Sequence, residues 1–139
     1  AAYVQVFRDD PDFERMQPGG AGLIRFASEF LARFMAYMDP DGYWPESDGP
    51  ANSYNSLTAA ATLRAADALG EVERYRRHFQ RAARFSALTT LPNLKSTDVT
   101  DGRNHLRPMI GIRKSANGFT PEGKAVRQAV LEAYERRGA

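Results

Sequence analysis

The feature that most constrains the fold is an apolar stripe that repeats with helical spacing over residues 21–38. Its members follow i, i+3, i+4 and i+7 spacing, so a helix places them on one face and leaves polar residues on the other. Because Pro40 cannot continue a helix, the pattern predicts that this helix ends at Asp39 and Pro40. The stripe consists of Leu23, Ile24, Ala27, Phe30, Leu31, Phe34, Met35 and Met38.

Three later segments are also predicted to be helical. Residues 54–69 are rich in alanine, with Asn52 or Ser53 as a suitable N-cap and Gly70 as the C-cap residue. The small side chains of this segment favour an interior position between neighbouring helices. Residues 120–137 begin with a capping Thr120 and with Pro121 at the first helical position.

Residues 71–86 form the remaining helical segment, and almost no linker separates it from the alanine-rich one. Two helices joined so tightly are expected to be antiparallel neighbours. The segment is predicted to turn an arginine-rich face outward and an apolar face inward, the latter made of Val72, Tyr75, Phe79, Ala82 and Ala83. For the basic stretch at residues 74–84, a solvated helix face is favoured over a phosphate-binding patch.

Residues 89–117 lose the helical period and contain several turn residues, so we expect an extended excursion with a short strand at residues 109–112. The sequence does not determine whether residues 89–119 are ordered. The fold class predicted from the whole pattern is all-α, made of antiparallel helical hairpins with long loops on one side. All 139 residues are assigned to a single helical domain.

The composition excludes several function classes. With 42% hydrophobic and 26% charged residues the chain is typical of a soluble globular protein, and no apolar run has the length of a membrane span. Its 19 basic and 17 acidic residues are interleaved, which argues against a nucleic-acid partner. The absence of cysteine excludes disulfides and thiolate metal sites but leaves the compartment open. Two histidines 27 positions apart and the lack of a glycine-rich phosphate loop predict neither a metal site nor a cofactor.

The candidate site is the connection at residues 39–55, DPDGYWPESDGPANSYN, which contains the only Trp. Turn formation requires Gly, Pro, Asn and Asp, so it does not account for the crowding of aromatic and other polar residues here. The residues concerned are Tyr43, Trp44, Glu46, Asn52, Tyr54 and Asn55. A second polar cluster follows a predicted Asp-Gly turn and consists of Arg103, Asn104 and His105.

The order of these motifs resembles part of the α/α toroid of heparinase II/III-like polysaccharide lyases. The shared features are a helix ending in DPDGYWPES, an Asn-x-Tyr-Asn that opens an alanine-rich helix, a later Asp-Gly-Arg-Asn, and a Phe-Thr-Pro-Glu-Gly that opens the last helix. The resemblance implies an incomplete ring of helical hairpins, of which this chain is expected to be a fragment. Matching the family's loop, Asp41, Gly42, Tyr43 and Glu46 would lie at the mouth of a sugar cleft, and Tyr54 would be the catalytic acid or base.

The residues allow a chemical role and a structural one at each position. Tyr54 lies at a predicted helix N-terminus, where the helix dipole would stabilise a phenolate; its alternative is a ring packed in the core. Glu46 would orient Tyr54 or bind sugar hydroxyls, or else hold loop N–H groups. Tyr43 and Trp44 would stack on a pyranose ring, although a lone Trp also commonly fills a core.

The remaining candidates would bind the acidic groups of the substrate. Asn52 and Asn55 would donate amide hydrogens to a uronate carboxylate, with helix capping as the alternative for Asn52. Arg103 would bind a carboxylate or sulfate beside Asn104 and His105, or the three residues belong to an ordinary surface hairpin. The chain has no counterpart of the Asn-His pair that precedes the loop in the family, and its stretch before Tyr54 is longer.

The leading hypothesis is therefore binding of an acidic polysaccharide or oligosaccharide and its cleavage by β-elimination. One alternative is a glycoside hydrolase on the same toroid, with Asp41 or Glu46 as general acid and Asp101 as a partner carboxylate. The other is a helical domain that binds a glycan or a protein without chemistry. A periplasmic or secreted location follows only if the lyase resemblance holds, and the sequence leaves the oligomeric state open.

Overall fold

The computed structural model describes residues 19–46, 49–97, 106–108 and 116–138, and within them the fold is mostly helical. Four helices occur in this part of the chain: α1 at Gly20–Ala36, α2 at Asn52–Ala68, α3 at Arg76–Leu88 and α4 at Pro121–Gly138. The prediction of an all-α protein is confirmed at this level. None of the described helices combines the length and apolarity that a membrane crossing requires.

Two small antiparallel ladders accompany the helices. Strand β1 at Pro45–Glu46 pairs with β2 at Gly49–Pro50, and β3 at Lys95–Thr97 pairs with β4 at Leu106–Pro108. The second ladder lies within the predicted excursion, directly before the strand expected at residues 109–112, which are outside the described residues. The first ladder lies in the candidate loop and brings its chain back toward the start of α2.

The core is formed where α1, α2 and α3 meet around the candidate loop. Phe79 and Met35 are the largest fully buried side chains, and Trp44 from the loop joins the same cluster. Helix α2 contacts α1, α3 and β3, while α4 packs against α3. The predicted inward face of residues 71–86 is confirmed, because Tyr75, Phe79, Ala82 and Ala83 are all buried and Val72 packs against the core.

Helix α3 begins later than the sequence pattern indicates, at Arg76 and not at Glu71. Gly70 takes a left-handed conformation, with φ of 71°, after the end of α2. The Glu71 amide then donates to the Ala66 carbonyl at 2.7 Å, which closes the end of α2 instead of starting a new helix. Residues 72–75 form a tight turn, in which the Tyr75 amide donates to the Val72 carbonyl at 3.2 Å.

The N-cap of α2 is Ala51, so neither Asn52 nor Ser53 takes the predicted capping position. Asn52 is the first helical residue and is buried. By contrast, the predicted start of α4 is confirmed: the Thr120 hydroxyl accepts a hydrogen bond from the Gly123 amide at 3.1 Å, and Pro121 is the first helical residue.

The apolar stripe of α1 is only partly covered. Leu31 and Met35 are buried, but Leu23, Phe26 and Phe30 are 50%, 64% and 61% exposed. These exposed side chains border a groove of about 430 Å³ between α1 and α2, whose other wall includes Ala61, Ala65, Ala68 and Leu69. The alanine-rich helix is therefore interior on one side and forms the wall of an open groove on the other.

Candidate functional site

The candidate loop begins with a tight turn that Asp39 organises. Its carboxylate accepts a hydrogen bond from the Asp41 amide at 2.9 Å, and its carbonyl accepts one from the Gly42 amide at 2.9 Å. The Asp39 amide in turn donates to the Tyr43 carbonyl at 2.8 Å. These bonds explain the Asp-Pro-Asp-Gly sequence as turn chemistry.

Gly42 packs this turn directly against the backbone of α3. Its φ is +95°, a left-handed conformation that glycine adopts without strain. A Cβ atom at this position would lie 2.3 Å from the Arg81 carbonyl oxygen. The absence of a side chain therefore fixes how closely the loop approaches α3.

Asn55 holds the loop from the side of α2. Its Oδ1 atom accepts a hydrogen bond from the Trp44 amide at 3.1 Å, and its Nδ2 atom donates to the Gly42 carbonyl at 3.4 Å. The side chain is buried, as is that of Asn52. Asn55 thus positions the loop, and these bonds occupy the amide that the sequence hypothesis assigned to a substrate carboxylate.

Trp44 fills the core beside α1. It is 7% exposed, its Nε1 atom donates to the Phe34 carbonyl at 3.2 Å, and its ring stacks on Phe34 with the centroids 5.8 Å apart. The structural alternative for Trp44, a core position, is the one that this structure shows. Only an edge of the ring is left to line a surface recess.

Tyr43 faces a different neighbour from Trp44, so the two residues do not form one stacking platform. Its ring contacts Phe85 of α3 with the centroids 5.3 Å apart. Burial raises the pKa of Tyr43, and the nearby Asp39 carboxylate, to which it hydrogen-bonds, raises it further. A phenol with a raised pKa is a poor general base at neutral pH.

Tyr54 lies in the first turn of α2, as predicted, and is 42% exposed. It borders a surface recess of about 480 Å³ that we call the tyrosine recess. Another wall of this recess is Tyr37, which is 77% exposed. The full lining is Phe34, Tyr37, Trp44, Pro45, Tyr54 and Thr58.

Sequence reasoning missed Tyr37, which precedes the loop by two residues. The available signal was its position off the apolar stripe of α1, next to the predicted helix end, where a large aromatic side chain has no helical neighbour to cover it. Tyr37 is the C-cap residue of α1. The end of α1 and the start of α2 thus each contribute one exposed tyrosine to the recess.

The structure does not bring every predicted residue to this place. The Glu46 backbone pairs with Gly49 in the first ladder, but its side chain is outside the described part of the chain, as are Arg103, Asn104, His105 and Asp101. Among the described residues, no group of three or more His, Asp or Glu side chains could hold a metal ion. The chemistry shown here is that of an aromatic recess with phenol hydroxyls.

The chain was compared with protein-family models, with curated proteins and with solved structures, and none of the three comparisons finds a match.

Proposed function

We propose that this protein binds an oligosaccharide in the tyrosine recess. The observation that carries the proposal is the pair of exposed tyrosines, Tyr37 and Tyr54, on two walls of one open recess. The apolar C–H face of a pyranose ring suits an aromatic face, while phenol hydroxyls at the rim offer hydrogen bonds to sugar hydroxyls. A recess of about 480 Å³ has the size of a small-ligand site.

The hydrogen bonds that hold the walls of the tyrosine recess also support ligand binding. Trp44 is fixed by its hydrogen bond to Phe34 and by the bond from its amide to Asn55. Because helices and buried hydrogen bonds hold the walls, little conformational entropy would be lost when a ligand binds. Trp44 and Asn55, which the sequence hypothesis assigned to ligand contacts, thus support the walls of the recess.

The resemblance to heparinase II/III-like lyases adds a narrower proposal about the ligand and the reaction. The ligand would be a uronate polymer, the domain part of an α/α toroid, and Tyr54 the group that exchanges a proton during β-elimination. The Tyr54 oxygen would take the proton from the carbon next to the carboxylate, a C=C bond would form as the bond to the 4-oxygen breaks, and the same proton would pass from Tyr54 to the departing oxygen. The position of Tyr54 in the first turn of α2, with 42% of the residue exposed beside the recess, supports this role.

Binding is tested by titrating uronate and neutral oligosaccharides while following the fluorescence of Trp44. We expect saturable binding that Tyr37→Ala and Tyr54→Ala each weaken about 5-fold, which corresponds to about 1 kcal/mol for one aromatic contact. Tyr134→Ala is the matched control, because Tyr134 is 45% exposed and lies on α4, outside the recess. Equal affinities in the recess and control variants would refute the proposal.

Cleavage needs a separate assay, the ultraviolet absorbance of the unsaturated uronate product. Tyr54→Phe keeps the ring and removes the hydroxyl, so we expect binding to persist and product formation to stop. Full activity in this variant would remove Tyr54 from the reaction. Products that lack the new double bond would favour the hydrolase alternative.

A further inference from the structure

A second recess lies on another side of the molecule, between α3 and the start of α4. We call it the basic recess; its volume is about 610 Å³. Three arginines of α3 line it at i, i+4 and i+7 spacing, which places them on one helix face. The lining is Arg77, Gln80, Arg81, Arg84, Phe119, Thr120, Pro121 and Glu122, so it shares no residue with the tyrosine recess.

The arginines of the basic recess differ from the two arginines that precede them in the chain, both of which form ion pairs. At the start of α3, Arg76 forms an ion pair with Glu73 at 2.6 Å, and Arg74 pairs with Glu71 at 3.3 Å. Within the described residues, Arg77, Arg81 and Arg84 form no ion pair of this kind. Three like charges on adjacent turns repel one another, and a bound anion would relieve this repulsion.

One carboxylate borders the recess. Glu122 lies in the first turn of α4, and its pKa is lowered by hydrogen bonds from its own backbone amide and from Thr120, with a smaller contribution from Arg84. Glu122 thus reduces the positive charge of the recess without cancelling it, since its lining among the described residues has three guanidinium groups and one carboxylate. It also provides a test, because removing its charge should strengthen the attraction for an anion.

We propose that the basic recess binds a phosphate or sulfate group. A guanidinium presents a planar fork of N–H donors that matches two oxygens of such a group, and guanidinium groups on successive turns of one face can bind the same anion from different sides. The Gln80 amide offers a further donor on that face. This proposal is independent of oligosaccharide binding in the tyrosine recess.

The basic recess still adjoins the candidate loop, through the backbone of α3. Gly42 packs on the Arg81 carbonyl, and Tyr43 contacts Phe85, the residue that follows Arg84. Helix α3 therefore separates the loop on one side from the anion site on the other.

The test is a titration with inorganic phosphate and with sulfate at constant ionic strength, followed by NMR of backbone amides and arginine side-chain N–H groups. We expect saturable shifts at Arg77, Arg81 and Arg84. Arg81→Gln should weaken binding about 10-fold or more, as expected for losing charge-assisted hydrogen bonds. Arg64→Gln is the matched control, because Arg64 is exposed on α2 and belongs to neither recess.

Glu122→Gln should change the affinity for the anion in the opposite direction to Arg81→Gln, which a general loss of structure would not do. It should tighten binding severalfold, since a like charge beside the anion is removed. Circular dichroism should show the same helix content in all variants. Shifts that do not saturate, or that are equal in the Arg81→Gln and Arg64→Gln variants, would overturn the proposal.

Two further competition titrations, one with a sugar phosphate and one with a sulfated disaccharide, identify the kind of molecule that carries the anionic group. Both carry the tetrahedral oxyanion, and the one that competes more strongly with the inorganic ion names the source. Either preference supports the site. Failure of both compounds to compete, despite saturable binding of the inorganic ion, would indicate an adventitious ion only and would overturn the proposal.

Discussion

Replacing Gly42 by Ala should destabilise the protein by separating the candidate loop from α3. The added Cβ would lie 2.3 Å from the Arg81 carbonyl oxygen, 2.5 Å from the Arg81 carbonyl carbon and 3.1 Å from the Ala82 amide nitrogen. These are backbone atoms of a helix and cannot turn aside as a flexible side chain would. The loop must therefore move away from α3, and the packing of Tyr43 on Phe85 is expected to suffer with it.

The expected cost has two parts. Placing an alanine at a φ of +95° costs about 1 kcal/mol, because the Cβ atom crowds the neighbouring carbonyl oxygen in a left-handed backbone. Overpacking a close contact costs about 1–3 kcal/mol more. The sum is about 2–4 kcal/mol, a large share of the stability of a small domain.

Two other glycines separate these parts experimentally. Gly19 has a φ of +85° with nothing within 4 Å of its ideal Cβ, so Gly19→Ala carries the backbone strain without the clash. Gly22 lies in α1 with open space around it, and Gly22→Ala should stabilise the protein by about 0.5–1 kcal/mol through its higher helix propensity. The three variants should therefore rank Gly22→Ala, Gly19→Ala, Gly42→Ala in falling stability.

Urea unfolding monitored by circular dichroism measures the three free energies, and Trp44 provides a local probe. As the only Trp of the chain and a neighbour of Gly42 in the loop, Trp44 should lose near-ultraviolet dichroism in Gly42→Ala even where the helices persist. If Gly42→Ala lowers the free energy of unfolding by no more than Gly19→Ala does, the loop does not pack closely against α3. The account of the loop as a fixed support would then be refuted.

Two further predictions concern α1 and α3. Phe26→Ser should change the free energy of unfolding by less than about 1 kcal/mol, because the side chain is 64% exposed. Met35→Ala, at a buried position, should lower that free energy by about 2–5 kcal/mol. Similar costs of the two variants in urea unfolding would contradict the exposure of the groove. Burial lowers the pKa of His78, and the charge of Arg81 lowers it further. As the pH falls, His78 therefore takes up its proton in the unfolded state at a higher pH than in the folded state, and the free energy of unfolding should decrease below about pH 6.5. His78→Phe should flatten that fall in urea unfolding between pH 8 and pH 5, and parallel profiles for the two proteins would contradict it.

The helices could be predicted because their signals are local. The Thr120 hydroxyl and Pro121 start the last helix through backbone chemistry that involves only adjacent residues. The first helix ends at Ala36, three residues before the predicted end at Asp39 and Pro40. The late start of α3 is a case that such local signals did not predict. Its five preceding residues have helical composition, but the left-handed Gly70 and the hydrogen bond from the Glu71 amide to the Ala66 carbonyl close α2, and residues 72–75 form a turn.

The covering of each helix face could not be predicted, because a periodic stripe does not identify what packs on it. The sequence treats Leu31 and Phe30 alike, yet the first is 4% exposed and the second 61%. Burial depends on where α2 lies against α1, and this contact joins residues far apart in the chain. For the same reason the sequence could not place Tyr37 beside Tyr54, since the loop between them had to fold before the two rings could share a recess.

The crowding of polar and aromatic residues that first marked the loop has a structural cause at Tyr43, Trp44 and Asn55. A loop that packs between helices leaves backbone groups without ladder partners, and buried groups of this kind require hydrogen bonds. Asn55 provides two of them, for the Trp44 amide and the Gly42 carbonyl, while the Trp44 side chain satisfies the Phe34 carbonyl at the end of α1. Supporting the loop does not by itself require the exposed ring surface of Tyr37 and Tyr54. The argument for a ligand therefore depends on these two tyrosines and not on the composition of the loop.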